Sequence, residues 1–353
     1  MEQTSYWNIV RETPYSDSDP NLVRILTHDG RFHADEVIAC ELLSLLEDNN
    51  VEIVRSRDTT NIDQYKWVVD VGKQYIPEHG RFDHHQEECK MTWPGYPILL
   101  SSSGMVFYNL WREILEKMGH PNATEDEAEM IYKNIFLPID AHDNGQIIEN
   151  YKFSLAYGHK GYGEGINIGR VISDMNNDDV NSDEQHMRFK NAMKYAFDSL
   201  LPVISNMMKT YRQNKQIIEK LKDVDMSLRF IILPKRTYVN QYILKHIDPN
   251  KKLLFTIYEK KQQSDGKKEW GFSAVQDTRF VNRADLVKED KEKYPDLIFI
   301  HKKLFCGSAS TLDEAIRVCN DSVKQHKRKT FKKFAMFGSG VLGLATGAYY
   351  LLK

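Results

Sequence analysis

The sequence predicts an α/β protein: a mainly parallel-sheet domain first, a smaller α/β domain second, and a transmembrane helix at the C-terminus. Three observations carry that expectation. Over residues 22–71, apolar runs of strand length alternate with a helical pattern, the order a parallel sheet needs. Strand-sized apolar runs return after Lys222. The 19 residues of 334–352 carry no charge, and as a helix they would span about 28 Å.

Residues 22–27 (LVRILT) read as a buried strand ending at His28. Val37, Ile38, Leu42, Leu45 and Leu46 then recur on one helical face. Residues 51–55 (VEIVR) and 66–71 (KWVVDV) read as further short strands, with helices over 103–118 and 125–138. His28 and Asp70 thus fall at strand ends, where the ligand crevice of such a sheet lies. A polar, helix-prone stretch follows, interrupted around Pro202. The later strands are LRFIIL (228–233), KLLFTIYE (252–259), WGFSAVQ (270–276) and DLIFIH (296–301), with a hairpin tip at Asp265-Gly266 and a closing helix over 312–325. The organisation expected is an N-terminal extension (1–20), a first domain (21–177), a helical connector (178–225), a second domain (226–326), and a basic segment with its anchor (327–353).

Composition narrows the function little. The 48 basic and 50 acidic side chains give a formal charge of −2, so a polyanion partner would need its cations gathered locally. Cys40, Cys89, Cys306 and Cys319 form no CxxC pair, which argues against a zinc ribbon or a disulfide framework and for a reducing compartment. The first 20 residues lack the apolar core of a signal peptide.

Four polar clusters sit at the ends of apolar elements: His28 to Glu36 (HDGRFHADE), Asp70, Asp83-His84-His85, and Asp140 to Gly145 (DAHDNG). Any one of them alone reads as a helix cap or a solvent-facing loop. Together they bring carboxylates and imidazoles to one end of a sheet, and like charges gathered without a cation repel. Mixed imidazole and carboxylate donors suit Mn²⁺, Fe²⁺ or Zn²⁺. A carboxylate bridging two metals is a recurrent device of phosphoryl transfer.

THDGRFHADE, VVDVG, RFDHHQ, LLSSSGMVFY and PIDAHDNG follow one another in the order and rough spacing of the Myg exonuclease family, a branch of the DHH phosphoesterases, which the chain resembles densely over 22–146 and thinly beyond. The resemblance implies a DHH-type fold and hydrolysis of a phosphodiester with the help of one or two divalent ions, Mn²⁺ first among them. It implies His28, His33 and Asp35 as ligands, Asp70 as the bridging carboxylate and His84 as the ligand histidine of the DHH motif. His85, beside Asp83, would face the scissile phosphate. The last ligand is Asp140 or Asp143, with Asp140 preferred. Ser102, Ser103 and Gly104 open a helix, where backbone N–H groups either contact a phosphate or simply accompany a serine-rich cap. The expected activity is 3′→5′ exonuclease action on single-stranded RNA or short oligonucleotides.

The second half departs from the family. Where relatives carry a glycine-rich loop, only Gly307 is kept, and Leu304 and Ser308 stand where glycine is expected. A Pro-Trp pair is replaced by Arg236-Thr237-Tyr238, while Arg170 and Arg283 keep recognisable neighbours and are carried as substrate-binding residues. The uncharged tail follows a run of Lys327, Arg328, Lys329, Lys332 and Lys333, the flank of a membrane helix. A membrane-anchored mitochondrial enzyme is therefore the first expectation. The rival is a Myg-derived structural or assembly subunit of a mitochondrial membrane complex, in contact with its other subunits.

Overall fold

The computed structural model describes residues 9–11, 22–146, 167–179, 183–233, 236, 239–260, 268–278 and 281–350. The chain divides into two compact units, Met1–Tyr211 and Arg212–Lys353.

The first unit opens with β1 (Ile9–Arg11), a three-residue strand with no period that sequence reading could detect, followed by β2 (Val23–Thr27). Helix α1 (Ala34–Leu46) leads to β3 (Val51–Arg55) and β4 (Trp67–Val69), and the short β5 (Tyr75–Ile76) and β6 (Arg81–Phe82) complete the sheet. The sheet order is β1-β3-β2-β4-β6-β5, parallel throughout except where β5 meets β6. Ile25, Ile53, Val69 and Phe82 from its strands are buried against α1 and α2 (Ser102–Lys117). All residues from Ala34 to Ser44 of α1 are buried, so this helix has no polar face and its charged members lie inside the unit.

A capping box of Thr124 and Glu127 starts α3 (Glu125–Ile131). A π turn over Tyr132–Phe136 carries the chain into α4 (Leu137–Asp143), so the expected helix over 125–138 runs one turn further and ends inside the DAHDNG cluster. Asn167 caps α5 (Ile168–Asp174). Helix α6 (Asp183–Leu221) passes straight through Pro202, where an interruption was expected. An internal proline costs about 3 kcal/mol, but Phe189, Ala192, Met193, Ala196, Ile204 and Met208 on either side are all buried and hold the helix through it.

The second unit contains β7 (Phe230–Leu233), α7 (Gln241–Ile247), β8 (Phe255–Glu259), β9 (Trp270–Ala274), the ribbon β10 (Gln276–Thr278) and β11 (Val281–Asn282), then β12 (Leu297–Ile300) and β13 (Cys306–Ala309). Its sheet runs β12-β13-β9-β8-β7, antiparallel except for the β7–β8 pair. The expected turn at Asp265-Gly266 lies outside the described residues, although Glu259 faces Trp270 as a hairpin requires.

Helix α8 (Leu312–Tyr350) closes this unit, with Ala315, Val318 and Cys319 in the core. It corrects the expectation of a transmembrane helix. Residues 334–350 continue α8 rather than starting a separate span, and among the described residues no helix is long and apolar enough to cross a membrane. The physical reason is composition: charged residues fill the helix up to Lys333, and Gly338, Gly340, Gly343 and Gly347 dilute the apolar run beyond it. Membrane anchoring through 334–352, and the mitochondrial membrane localisation built on it, lose their support.

Candidate metal centre

β2 delivers His28, and the next five residues turn into α1. His33 is the N-cap of that helix, and Glu36 completes a capping box by accepting from the His33 N–H at 2.7 Å. Capping places two carboxylates, Asp35 and Glu36, in the first buried turn. There Glu36 opposes His28, whose Nε2 lies 2.9 Å from Glu36 and 3.3 Å from Asp70. The His28 Nδ1 is 2.7 Å from the Asp29 carbonyl, which fixes it as the N–H side and turns Nε2 inward.

Asp70 leaves β4 in the left-handed region at φ 55, a geometry aspartate tolerates better than most side chains. Its carboxylate faces His84 Nε2 at 3.2 Å and His85 Nδ1 at 3.4 Å. Ser102, at the start of α2, donates to the same group at 3.3 Å. β6 delivers Asp83, His84 and His85. Asp83 is buried, accepts from the Lys73 N–H at 2.6 Å and holds His85 Nδ1 at 2.8 Å. His84 is fixed from behind by Asn144. The amide of Asn144 donates to the carbonyls of Leu99 and Asp140, so its oxygen faces His84 Nδ1 at 3.3 Å. His84 Nε2 therefore also points inward, 3.0 Å from Asp143.

Donor atoms of His28, His33 and Glu36 lie within 4.8 Å of one another, and so do those of Asp70, His84 and His85, of His33, Asp35 and Asp143, and of Asp35, Glu36 and Asp70. Both carboxylate oxygens of Asp35 are buried without a hydrogen-bond partner. The inward His84 Nε2 also makes no aligned hydrogen bond, although two carboxylates stand within 3.2 Å of it. Close approach without hydrogen-bond alignment, together with imidazoles backed on Nδ1 by carbonyl oxygens, is the geometry of ligands around an ion. The residues fit a divalent metal.

The proton affinities say the same. Burial alone would lower the His28 imidazole, but Asp70 and Glu36 outweigh it and push it up to about 10. Burial likewise opposes the charge on His84, and Asp143 and Asp70 push it up to about 10. Asp70 is held well below the carboxylate range because His28 and His84 overcome its burial. Burial, and then the charges of Asp70, Glu36 and Asp143, push Asp35 far up. Protons here stand in for the positive charge of an ion.

Asp140 does not join the cluster. It is fully buried and accepts from the Ser101 N–H at 3.0 Å and the Ser101 hydroxyl at 2.7 Å, so it caps α2. Burial pushes its carboxyl up to about 7 against those hydrogen bonds. Gly104 allows this approach, since a Cβ there would meet both Asp140 oxygens at 2.4 Å. Asp143, one helical turn on, is the residue that reaches the ligands. Ser103 is buried beside the Ser101 hydroxyl, 3.3 Å away. Arg170 is an exposed residue of α5, 3.6 Å from Asp174.

Two expected substrate residues belong to the second unit. Arg283 is held by Asp248 at 2.6 Å and Asp277 at 2.8 Å and also donates to the Leu253 carbonyl, which makes it a structural tie between the end of α7 and β10. Gly307 lies in β13, where a Cβ would meet the Phe272 ring at 2.5 Å and the Phe299 carbonyl at 2.6 Å. Sequence reading passed over Glu36 and Asn144 although both stand inside named clusters. The His33-x-x-Glu36 capping spacing was the signal for the first; for the second there was none.

One comparison decides the family. The model MYG1_exonuc, described as "Uncharacterised protein family (UPF0160)", matches residues 24–323. The chain belongs to the MYG1 exonuclease family. The MYG1 exonuclease of Mus musculus is 28% identical over 335 residues, spanning 86% of this chain and 85% of that protein. The MYG1 exonuclease of Homo sapiens is 27% identical over 337 residues, 86% of each chain. The MYG1 protein of Saccharomyces cerevisiae is 27% identical over 335 residues, 85% of this chain and 95% of its own. All the candidate ligands lie inside the MYG1 match, and it extends into the second unit as far as the first third of α8.

Proposed function

We propose that this chain is a divalent-metal-dependent phosphodiesterase of DHH type that shortens single-stranded RNA or short oligonucleotides from the 3′ end, with Mn²⁺ as its metal. The observation that carries the proposal is the convergence of His28, His33, Asp35, Asp70, His84 and Asp143 from four separate segments. The exonuclease name borne by its relatives from mouse and human supports the reaction class. Mixed nitrogen and oxygen donors support Mn²⁺ over Mg²⁺ or Ca²⁺.

Ions held there would supply Lewis-acid neutralisation of charge on a phosphoryl group. The chain's own residues do the rest. Asp70 stands between the His28 side and the His84 side of the cluster and is the carboxylate able to serve both. Asp83 fixes Nδ1 of His85, whose side chain is 56% exposed, and leaves its Nε2 to the substrate. The Asp83 hydrogen bond raises the His85 affinity for a proton, so the ring suits donation to a leaving-group oxygen. His33, 54% exposed, marks the other open edge of the site.

The test is a 5′-labelled single-stranded RNA incubated with the full-length protein and Mn²⁺. We expect a ladder of shortened products that Asp70→Asn abolishes. If metal binds in full while RNA, DNA, short oligonucleotides and pyrophosphate all stay uncut, hydrolysis is not the function of this site.

A further inference from the structure

The loop that carries His28 and His33 is held by residues some 150 positions away in the chain. Asn176, just beyond α5, donates to the Phe32 carbonyl at 2.8 Å and accepts from the Phe32 N–H at 2.8 Å. It thereby satisfies both backbone groups of the residue beside His33. Gln185, in the first turn of α6, donates to the Gly30 carbonyl at 2.9 Å and to Asn176 Oδ1 at 2.7 Å, while its own oxygen accepts from the Asn177 N–H at 2.8 Å. Neither amide can turn over without setting donor against donor or acceptor against acceptor. Arg55 adds a second donor to the Gly30 carbonyl at 2.7 Å, its guanidinium lying 5.6 Å from the Phe32 ring and 4.7 Å from the Phe189 ring. Gln185, Arg55, Phe32 and Phe189 are fully buried.

An apolar plug would serve if this contact only filled the core, because burying amides and a guanidinium is costly unless each hydrogen bond is made. Here both ends of the Asn176 amide and the Gln185 amide nitrogen reach the Phe32 and Gly30 backbone between two expected ligands, although Nε and Nη1 of Arg55 are left without a hydrogen-bond partner. We propose that Asn176 and Gln185 are positioning residues that keep the His28–His33 loop in its metal-binding shape. The inference rests on the metal reading above. A loop released from these bonds keeps its ligand side chains but samples other conformations, so affinity falls although no donor is lost.

The experiment is a Co²⁺ titration of the full-length protein, followed by visible absorption, with the parent, Asn176→Ala, Gln185→Ala and Ile114→Ala. Ile114 is a fully buried residue of α2, and its variant serves as a control for lost packing. Asn176→Ala is expected to weaken Co²⁺ binding about 10- to 100-fold and to alter the band shape. Gln185→Ala should move in the same direction and decides the matter if Asn176→Ala fails to fold. Ile114→Ala should melt earlier while keeping the parent affinity and spectrum. Kd values and spectra of both amide variants within twofold of the parent overturn the inference, as does an equal loss in Ile114→Ala. A parent chain that takes up no Co²⁺ removes the metal reading and this inference with it.

Discussion

At the scale of single residues, the central tension is a set of carboxylates that cannot all be ionised without compensating charge. His28 and His84 meet part of that need as cations, and this fixes the direction of the pH response. Their folded-state values near 10 exceed the ordinary 6.5, so the stabilisation is complete below 6.5 and fades as pH rises towards 10. The metal-free protein should therefore melt at a lower temperature at pH 9.5 than at pH 6.5, and Asp70→Asn should flatten that slope. Metal must displace the same protons, so binding at pH 7.5 should release about two per site. Calorimetry in buffers of different ionisation enthalpy measures this, and zero release would contradict the assignment of both imidazoles. Glu41 gives a second, independent pH prediction. Burial, and then Asp198, push its carboxyl up to about 8, while Lys194 opposes them. A carboxyl raised in the folded state costs stability as pH climbs from about 4.5 to about 8. Glu41→Gln should thus gain a few degrees in Tm over the parent at pH 8.5 relative to pH 4.

At the scale of elements, the sequence was legible where an apolar period met a polar end. β2, β3, β4 and α2 lie within a residue or two of their expected bounds, and buried strands of a parallel sheet are legible because they are continuous apolar runs. Legibility failed where tertiary packing overrode a local rule. Pro202 looks like a break, yet buried faces on both sides carry α6 across it. Asp140 and Asp143 look interchangeable in PIDAHDNG, and their different positions around α4, which contains both, separate them. The helix turns Asp140 onto Ser101, the N-cap of α2, and Asp143 onto His84. Two substitutions test that separation. Asp143→Asn should weaken metal binding with a small change in Tm, whereas Asp140→Asn should leave metal binding near the parent value. Gly104→Ala drives a methyl into Asp140 and should cost about 1–3 kcal/mol in urea denaturation. An unchanged midpoint would mean that the cap yields freely.

At the scale of the whole molecule, each unit answers a different part of the sequence record. The first keeps all five motifs and brings His28, His33, Asp35, Asp70, His84 and Asp143 together, while Asp140, expected as the last ligand, lies outside, and Glu36, Asn144 and the Asn176–Gln185 clamp were not foreseen. The clamp was out of reach because nothing in a linear sequence links residue 30 to residue 185. In the second unit the expected departures have local consequences. Leu304 adopts φ 57, the left-handed conformation that glycine favours, at the place where glycine was expected. Gly307 and Arg283 are engaged in packing and ion pairs of their own unit. The tail misled because absence of charge was taken for the hydrophobicity a membrane helix requires, and with that correction anchoring through the tail has no support. The central claim is that the first unit holds divalent transition metal through the named histidines and aspartates. Elemental analysis of the full-length protein, stripped with chelator and returned to Mn²⁺, tests it most directly. We predict saturable uptake of one or two ions per chain, abolished in the triple variant His33→Ala, Asp70→Ala, His84→Ala. Equal uptake by the parent and the triple variant would contradict the account.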